Sequence, residues 1–276
     1  GVGVVIVLQL MRLAQCFGRG GTWGGGILMA YENVPENKRS FYAAIPQIGL
    51  PIGFGLSSIL IAVPTLLLPE DIFFTWGWRI PFLAAIILTV IVIRQKGEMM
   101  ETEDYKKAQA KLEAEEAEGK KHKVGFIPMV KGYWKTLLLG CGTRWVDGTF
   151  YNIFIVWILS YCINWLGMPL IQTYIITIIA CIFKIPFTLF GGWCAQKLGN
   201  TRTFVIGALA SAVLSIPTLK VIELSKGNLA ITIIGIVLGW SIAYNLIWAV
   251  ISSLWSSYFE TEVRYSGISF VYHVPS

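Results

Sequence analysis

The sequence predicts an all-α integral membrane protein, and three observations carry that expectation. Of 276 residues, 55% are hydrophobic and 14% charged, with a mean hydropathy of +0.65, whereas a soluble globular chain has about 45–50% apolar and about 25% charged residues. Apolar runs of about 18 residues or more, long enough to cross the hydrocarbon of a bilayer, recur along the chain. These runs are apolar on every face, without the alternation over about 9–11 residues that marks a membrane strand. Composition therefore sets aside the aqueous enzymes. The net charge of +6 and pI near 9.0 do not indicate nucleic acid, because the basic residues sit between the apolar runs and form no single stripe or arm. The expected partner is the lipid bilayer, with no nucleic acid.

Seven apolar runs cover residues 2–30, 41–62, 78–93, 133–161, 169–193, 203–222 and 229–258, and an eighth opens at Ser266. The first holds a glycine-rich stretch, Gly18 to Gly26, with no G-K-[ST] and no G-x-G-x-x-G register, so phosphate binding is set aside. Gly20/Gly24 and Gly21/Gly25 read instead as small-x-x-x-small pairs for close helix approach, a spacing repeated at Gly49/Gly53 and Gly235/Gly239. Pro46, Pro51 and Pro186 fall inside runs and are expected to kink them. Cys16, Cys141, Cys162, Cys181 and Cys194 form no C-x-x-C pair and read as small buried apolar residues.

Counting the connections alternately, fifteen Lys and Arg fall on one side and three on the other, with Arg12, Arg19, Arg144 and Lys184 inside runs. The positive-inside rule makes the richer side cytoplasmic. The first run then travels inward, which predicts an odd number of spans ahead of Gly1. Gly1-Val2-Gly3-Val4-Val5 carries neither a charged leader nor a cleavage pattern, so these residues are not expected to be a signal peptide. Residues 94–123 carry eight basic and eight acidic residues, with Glu103/Lys107 at helical pairing distance. The balanced charge reads as a solvated helical linker in preference to a lipid- or calmodulin-binding segment. It separates a three-span part from a part of four or more spans. Residues 31–41 and 256–266 echo one another, each a short acid- and Arg-bearing loop after an inward helix, as in a duplicated transporter architecture.

Charges inside membrane spans cost roughly 2.5–3.5 kcal/mol on insertion scales and face partners or a wet cavity. Asp147 is the acid placed within a run away from its ends, and Arg144 lies three residues before it on the same helix face. Two readings stand: a structural ion pair, or a proton or substrate site. Arg12 with Gln15, one turn apart, offers an anion-binding face, and Lys184 adds a cation from another run. Arg19 and Lys184 have the alternative of snorkelling to an interface. Tyr151, Asn152, Asn164, Tyr244, Asn245 and Trp248 are candidate cavity-lining groups, or packing and interfacial anchors. Cations outnumber acids, which points to a small anionic or zwitterionic solute. No nucleophile–base pair, metal spacing or cofactor motif is visible, so no enzyme, cofactor or metal is expected; His122 and His273 suggest no role.

Arg12-Leu13-Ala14-Gln15-Cys16-Phe17-Gly18-Arg19-Gly20-Gly21-Thr22-Trp23-Gly24-Gly25 resembles the R-L-x-Q-G-x-x-x-G-G-E-W-G-G signature of the metabolite:proton symporters within the major facilitator superfamily. Residues 46–53, 76–83 and 263–267 resemble further blocks of that family in the same order. The resemblance implies a helical bundle of twelve helices in two halves, with this chain running from about the fourth to the eleventh. Residues 1–93 then end the N-terminal half (helices 4–6), residues 94–132 form the cytoplasmic central linker, and residues 133–276 belong to the C-terminal half (helices 7–10 and the start of 11). It also implies proton-coupled symport of small organic acids or zwitterionic metabolites by alternating access, in a bacterial plasma (inner) membrane, by a protein monomeric when complete. Alternatives are an uncoupled facilitator, or a truncated, non-transporting remnant or sensor.

By the same resemblance Arg12 and Gln15 occupy the fourth-helix motif, and Arg144, Asp147 and Tyr151 the polar face of the seventh. With Lys184, Tyr244 and Asn245 these form the expected substrate or proton pathway. Glu32, Arg39, Gln196 and Arg264 form the expected cytoplasmic gate. Thr22 stands where the family has Glu, and Cys16 where it has Gly. In residues 192–201, Gln196 replaces an Asp, and Asn200 and Thr201 replace two Arg residues, which predicts a weaker latch in the second half.

Overall fold

The computed structural model describes residues 3, 5–11, 22–96 and 126–275. Among them there is no β-strand, and six helices are long and apolar enough to cross a membrane. In chain order the elements are α1 (Thr22–Glu32), α2 (Glu36–Leu67), α3 (Glu70–Thr75), α4 (Gly77–Arg94), α5 (Met129–Asn164), α6 (Leu170–Leu198), α7 (Asn200–Leu224), α8 (Leu229–Ser256) and α9 (Thr261–His273). The six membrane-length helices are α2 and α4 to α8. Each overlaps one of the expected apolar runs almost throughout, with its ends moved by a few residues. Much of the first expected run, and most of the linker with Glu103, Lys107 and His122, lie outside the described residues.

Burial sorts the helices. In α8 every residue from Ile247 to Ser256 is buried, so this helix forms the axis around which α2, α6, α7 and α9 pack. In α4 almost nothing is buried. Leu67, Leu138, Trp145, Val213 and Ile216 are each more than 60% exposed. Apolar surface of that extent is what hydrocarbon, not water, would solvate.

Short turns set the antiparallel course. Gly199 takes φ +90°, open to glycine, and lets α7 begin one residue after α6 ends. Before α8, the Asn228 side chain accepts from the N–H groups of Ala230 and Ile231, capping two donors that the first turn leaves orphaned.

Glycines set how closely the helices approach, though not at every expected pair. A Cβ on Gly192 would lie 2.6 Å from Ala44, one on Gly191 2.6 Å from Ala249, and one on Gly207 2.9 Å from Leu246, so α6 touches α2 and α8 almost backbone to backbone, as α7 does α8. Gly235 and Gly239 do seat neighbours, Ile222 and Phe154 respectively. Gly49 and Gly53 have nothing within 4 Å among the described residues, because their face of α2 points away from the packed neighbours. Gly20 and Gly21 lie outside the described residues.

The helices are also irregular where the sequence only partly foretells it. Pro46 opens a 3₁₀ turn, Pro46–Ile48, that separates two α-helical stretches of α2. Pro51 falls in the first turn of Gly49–Leu67, where a missing N–H removes little. Pro186 lies within α6, and Pro64 and Pro217 likewise lie inside the helical stretches Gly49–Leu67 and Asn200–Leu224, none of the three ending its helix. Residues Asn152–Trp157 of α5 and Val237–Ala243 of α8 are π-helical; the Tyr244 N–H donates to the Gly239 carbonyl, five residues back, at 3.0 Å. The two π segments meet where Phe154 fills the space left by Gly239. Cys162 and Cys181 are buried as expected; Cys141 and Cys194 are only half-buried, and Cys16 lies outside the described residues.

Candidate functional site

Asp147 sits at the middle of α5, Lys184 at the middle of α6, and Trp240 and Tyr244 either side of the middle of α8. Three helices thus bring polar side chains to one level. Asp147 is fully buried, and its carboxylate is held from two directions. Arg144, one turn back on the same helix, pairs with Oδ2. The Tyr244 hydroxyl donates to Oδ1 at 2.6 Å, reaching across from a residue 97 positions along the chain. Arg144 in turn stacks on Tyr272 of α9, 4.4 Å from guanidinium carbon to ring centroid.

Lys184 is also fully buried, so it does not snorkel. Its Nζ lies 4.4 Å from the Tyr244 ring centroid and 5.0 Å from that of Trp240, with no hydrogen-bond partner. The π segment of α8 supports this geometry by placing Trp240 and Tyr244 against the same ammonium. The Asn245 side-chain amide donates to the Lys184 carbonyl at 2.8 Å and to Thr188 Oγ1 at 2.9 Å, tying α8 to α6 at this level. Its Oδ1 and the Trp240 Nε1 have no partner.

Beside this cluster lies a cavity of about 520 Å³ whose lining includes Arg144, Tyr151 and Asn152. Arg144 therefore stands between open volume and Asp147. A buried ion pair of this kind resists loss of one partner because the other is left uncompensated.

A second polar region closes the end of the bundle that carries α1, the start of α2 and the start of α9. Glu32 pairs with Arg264 at 2.7 Å across 232 positions, and Arg264 Nε also donates to the Phe259 carbonyl. The Tyr31 ring lies 5.3 Å from the Arg39 guanidinium and 5.6 Å from that of Arg264, while Arg39 pairs with Glu36 at 3.3 Å. Asn200 accepts from both Ser40 (2.8 Å) and Ser253 (3.1 Å) through Oδ1. Deeper in, Ser252 donates to the Ala43 carbonyl, and Gln47 and Trp248 exchange side chain–backbone bonds at 3.1 and 3.0 Å.

Of the expected pathway residues, Arg144, Asp147, Lys184, Tyr244 and Asn245 come together, with Tyr151 on the cavity wall; Arg12 and Gln15 lie outside the described residues. Of the expected gate residues, Glu32, Arg39 and Arg264 gather around Tyr31, whereas Gln196 is exposed. Sequence reading did not single out Gln47, Trp240, Asn200 as a bridge, or Tyr272. Gln47 carried a usable signal, a lone amide in an apolar run, which in a membrane span marks a paired or functional group.

A family model described as Major Facilitator Superfamily matches residues 2–273. The chain is 28% identical over 281 residues to the inner membrane metabolite transport protein YhjE of Escherichia coli (strain K12), covering 100% of this chain and 62% of that protein. It is 27% identical to the shikimate transporter of the same organism (98% of this chain, 60% of that one) and 26% identical to its proline/betaine transporter (99% and 55%). The chain thus spans less than two thirds of the length of these relatives. No solved structure matches it significantly. With nearly its whole length covered by the family model, and its helices apolar enough to cross a bilayer, this chain belongs to the Major Facilitator Superfamily.

Proposed function

We propose that the chain is the central part of a secondary transporter that carries a small organic acid or zwitterionic metabolite together with protons across a bacterial inner membrane by alternating access. The observation that carries this reading is Asp147, a fully buried mid-span carboxylate held by Arg144 and by Tyr244 of a different helix, with Arg144 facing a cavity. A group so placed suits proton relay through an exchange of partners. The relatives named for shikimate and for proline and betaine transport support the solute class. On this reading residues 1–93 and 133–276 belong to two halves joined by the linker at 94–132. The seam of α2 against α6 and α8 is then the surface on which they rock, and the Glu32–Arg264 end is the cytoplasmic gate.

The test is uptake of radiolabelled proline, glycine betaine and shikimate into proteoliposomes bearing the full-length protein, with and without an inward proton gradient. Accumulation that a protonophore abolishes, and that Asp147→Asn removes while the protein stays monodisperse, supports coupled transport. Flux indifferent to the gradient would leave an uncoupled facilitator, and binding without flux a sensor.

A further inference from the structure

Two cations occupy the mid-bundle cluster, and their surroundings differ. Arg144 is neutralised by Asp147 on its own helix. Lys184 has an ammonium fully enclosed by protein and no hydrogen bond; two aromatic faces flank it, and Asp147, though near enough to attract it, is bonded to Arg144 and Tyr244 instead. Ring faces attract a cation, but they offer it no acceptor. A buried charged donor without an acceptor is costly, and native structures keep one where something else completes it. Within the same pair of helices the Trp240 Nε1–H is a second buried donor without an acceptor. Both donors sit at mid-span, on α6 and α8.

We propose that Lys184, assisted by the Trp240 indole N–H, is the anchor for the carboxylate of the transported solute. This deepens the transport reading and rests on it for the word "transported", although the binding claim stands apart. The solute's carboxylate would supply the acceptor that the ammonium lacks, leaving the Tyr244 hydroxyl on Asp147 and the Asn245 amide on the Lys184 carbonyl undisturbed. Arg144 and Asp147 then serve the proton, and Lys184 serves the solute. The site so built selects for one carboxylate, and analogues of the same shape with that carboxylate masked bind poorly.

The test is binding, measured by thermal stabilisation of the detergent-solubilised full-length protein with proline, shikimate and glycine betaine. Each is paired with its carboxamide or methyl ester. The wild type should bind at least one carboxylate about tenfold or more tightly than its carboxylate-masked partner, the size expected of a charge-assisted bond, and the shikimate pair, whose ester is neutral where the other two masked forms are cations, separates a lost anchor from plain charge repulsion. Lys184→Met should bind both partners with equal weakness, and Lys184→Arg should restore the preference, which separates a lost anchor from a misfolded variant. Trp240→Phe, keeping the ring and losing the N–H, should reduce the preference by a smaller factor. The proposal is overturned if Lys184→Met keeps the wild-type preference, if the carboxylate-masked analogues bind the wild type as well as the carboxylates do, or if none of the three carboxylates stabilises it. Uptake of the bound carboxylate by proteoliposomes is measured in parallel. Carboxylate-selective binding through Lys184 without uptake defeats the transport reading and leaves the anchor standing, whereas uptake with an unchanged Lys184→Met preference does the reverse.

Discussion

At the Glu32 end of the bundle, polar groups meet across the seam in complementary pairs: Glu32 with Arg264, Ser40 and Ser253 with Asn200, and Gln47 with Trp248 in both directions. At mid-bundle, Asp147 is doubly held, yet Lys184 Nζ, Trp240 Nε1 and Asn245 Oδ1 lack partners within the same buried layer. The cross-seam groups named at the first level close on one another, whereas three buried polar atoms at the second, one each on Lys184, Trp240 and Asn245, do not. Completed pairs hold two surfaces together, whereas unmet buried groups raise the energy of the empty protein and reward whatever fills them. On the transport reading proposed above, the first level would be the gate and the second the solute site.

The largest effect should come from breaking the mid-bundle pair. Asp147→Asn leaves the partly buried Arg144 without its counter-charge, a loss of up to about 3–5 kcal/mol, the figure for fully buried pairs. Proton-driven uptake should fall to background, and the melting temperature in detergent should drop. Replacing both Arg144 and Asp147 by Leu should recover much of that stability and none of the uptake, so recovered uptake would remove the pair from the mechanism. Next in size is Gly192→Val, which drives a side chain into Ala44 and Phe41 where the seam is tightest. Overpacking costs about 1–3 kcal/mol, and a thiol introduced at Ser40 should then react faster with a water-soluble maleimide.

Glu32→Gln should loosen the same end by about 1.5 kcal/mol, the low end for a hydrogen bond to a charged group, since the amide oxygen can still accept. Exchanging the two charges, Glu32→Arg with Arg264→Glu, should restore most of the wild-type melting temperature. Failure of the exchange would show that Arg264 matters for its bond to the Phe259 carbonyl more than for Glu32. Ser40→Ala should have the smallest effect, about 0.5–1.5 kcal/mol or less, because Ser253 still donates to Asn200. A loss as large as that of Gly192→Val would mean that Asn200, not helix packing, closes the seam.

Much of the architecture was legible in the sequence because its causes are local. Hydrocarbon demands long apolar helices, and each of the six membrane-length helices announces itself by composition alone. The Arg144–Asp147 pair was readable for the same reason, since residues three apart on a helix share a face whatever surrounds them. Other features needed the neighbours. Pro46 interrupts α2 and Pro51 does not, because the register of the helix start decides what a missing N–H costs. The small-residue pair at Gly49/Gly53 has the same spacing as Gly235/Gly239, and only the second meets packed neighbours.

By itself, then, the sequence determined that the chain spans a bilayer as helices, which charges lie within those helices, and which family it resembles; each follows from short-range chemistry or from motif order. Tertiary structure decided which charges have partners. Tyr244 finds Asp147 from 97 positions away, and Trp240 joins it over Lys184, on a stretch of α8 that is π-helical where Phe154 packs against Gly239. Apolar periodicity in a membrane helix is the same on every face and carries no record of rotation. The rotation that leaves Lys184 enclosed and unpaired, and Gln47 locked to Trp248, is set by how neighbouring helices pack.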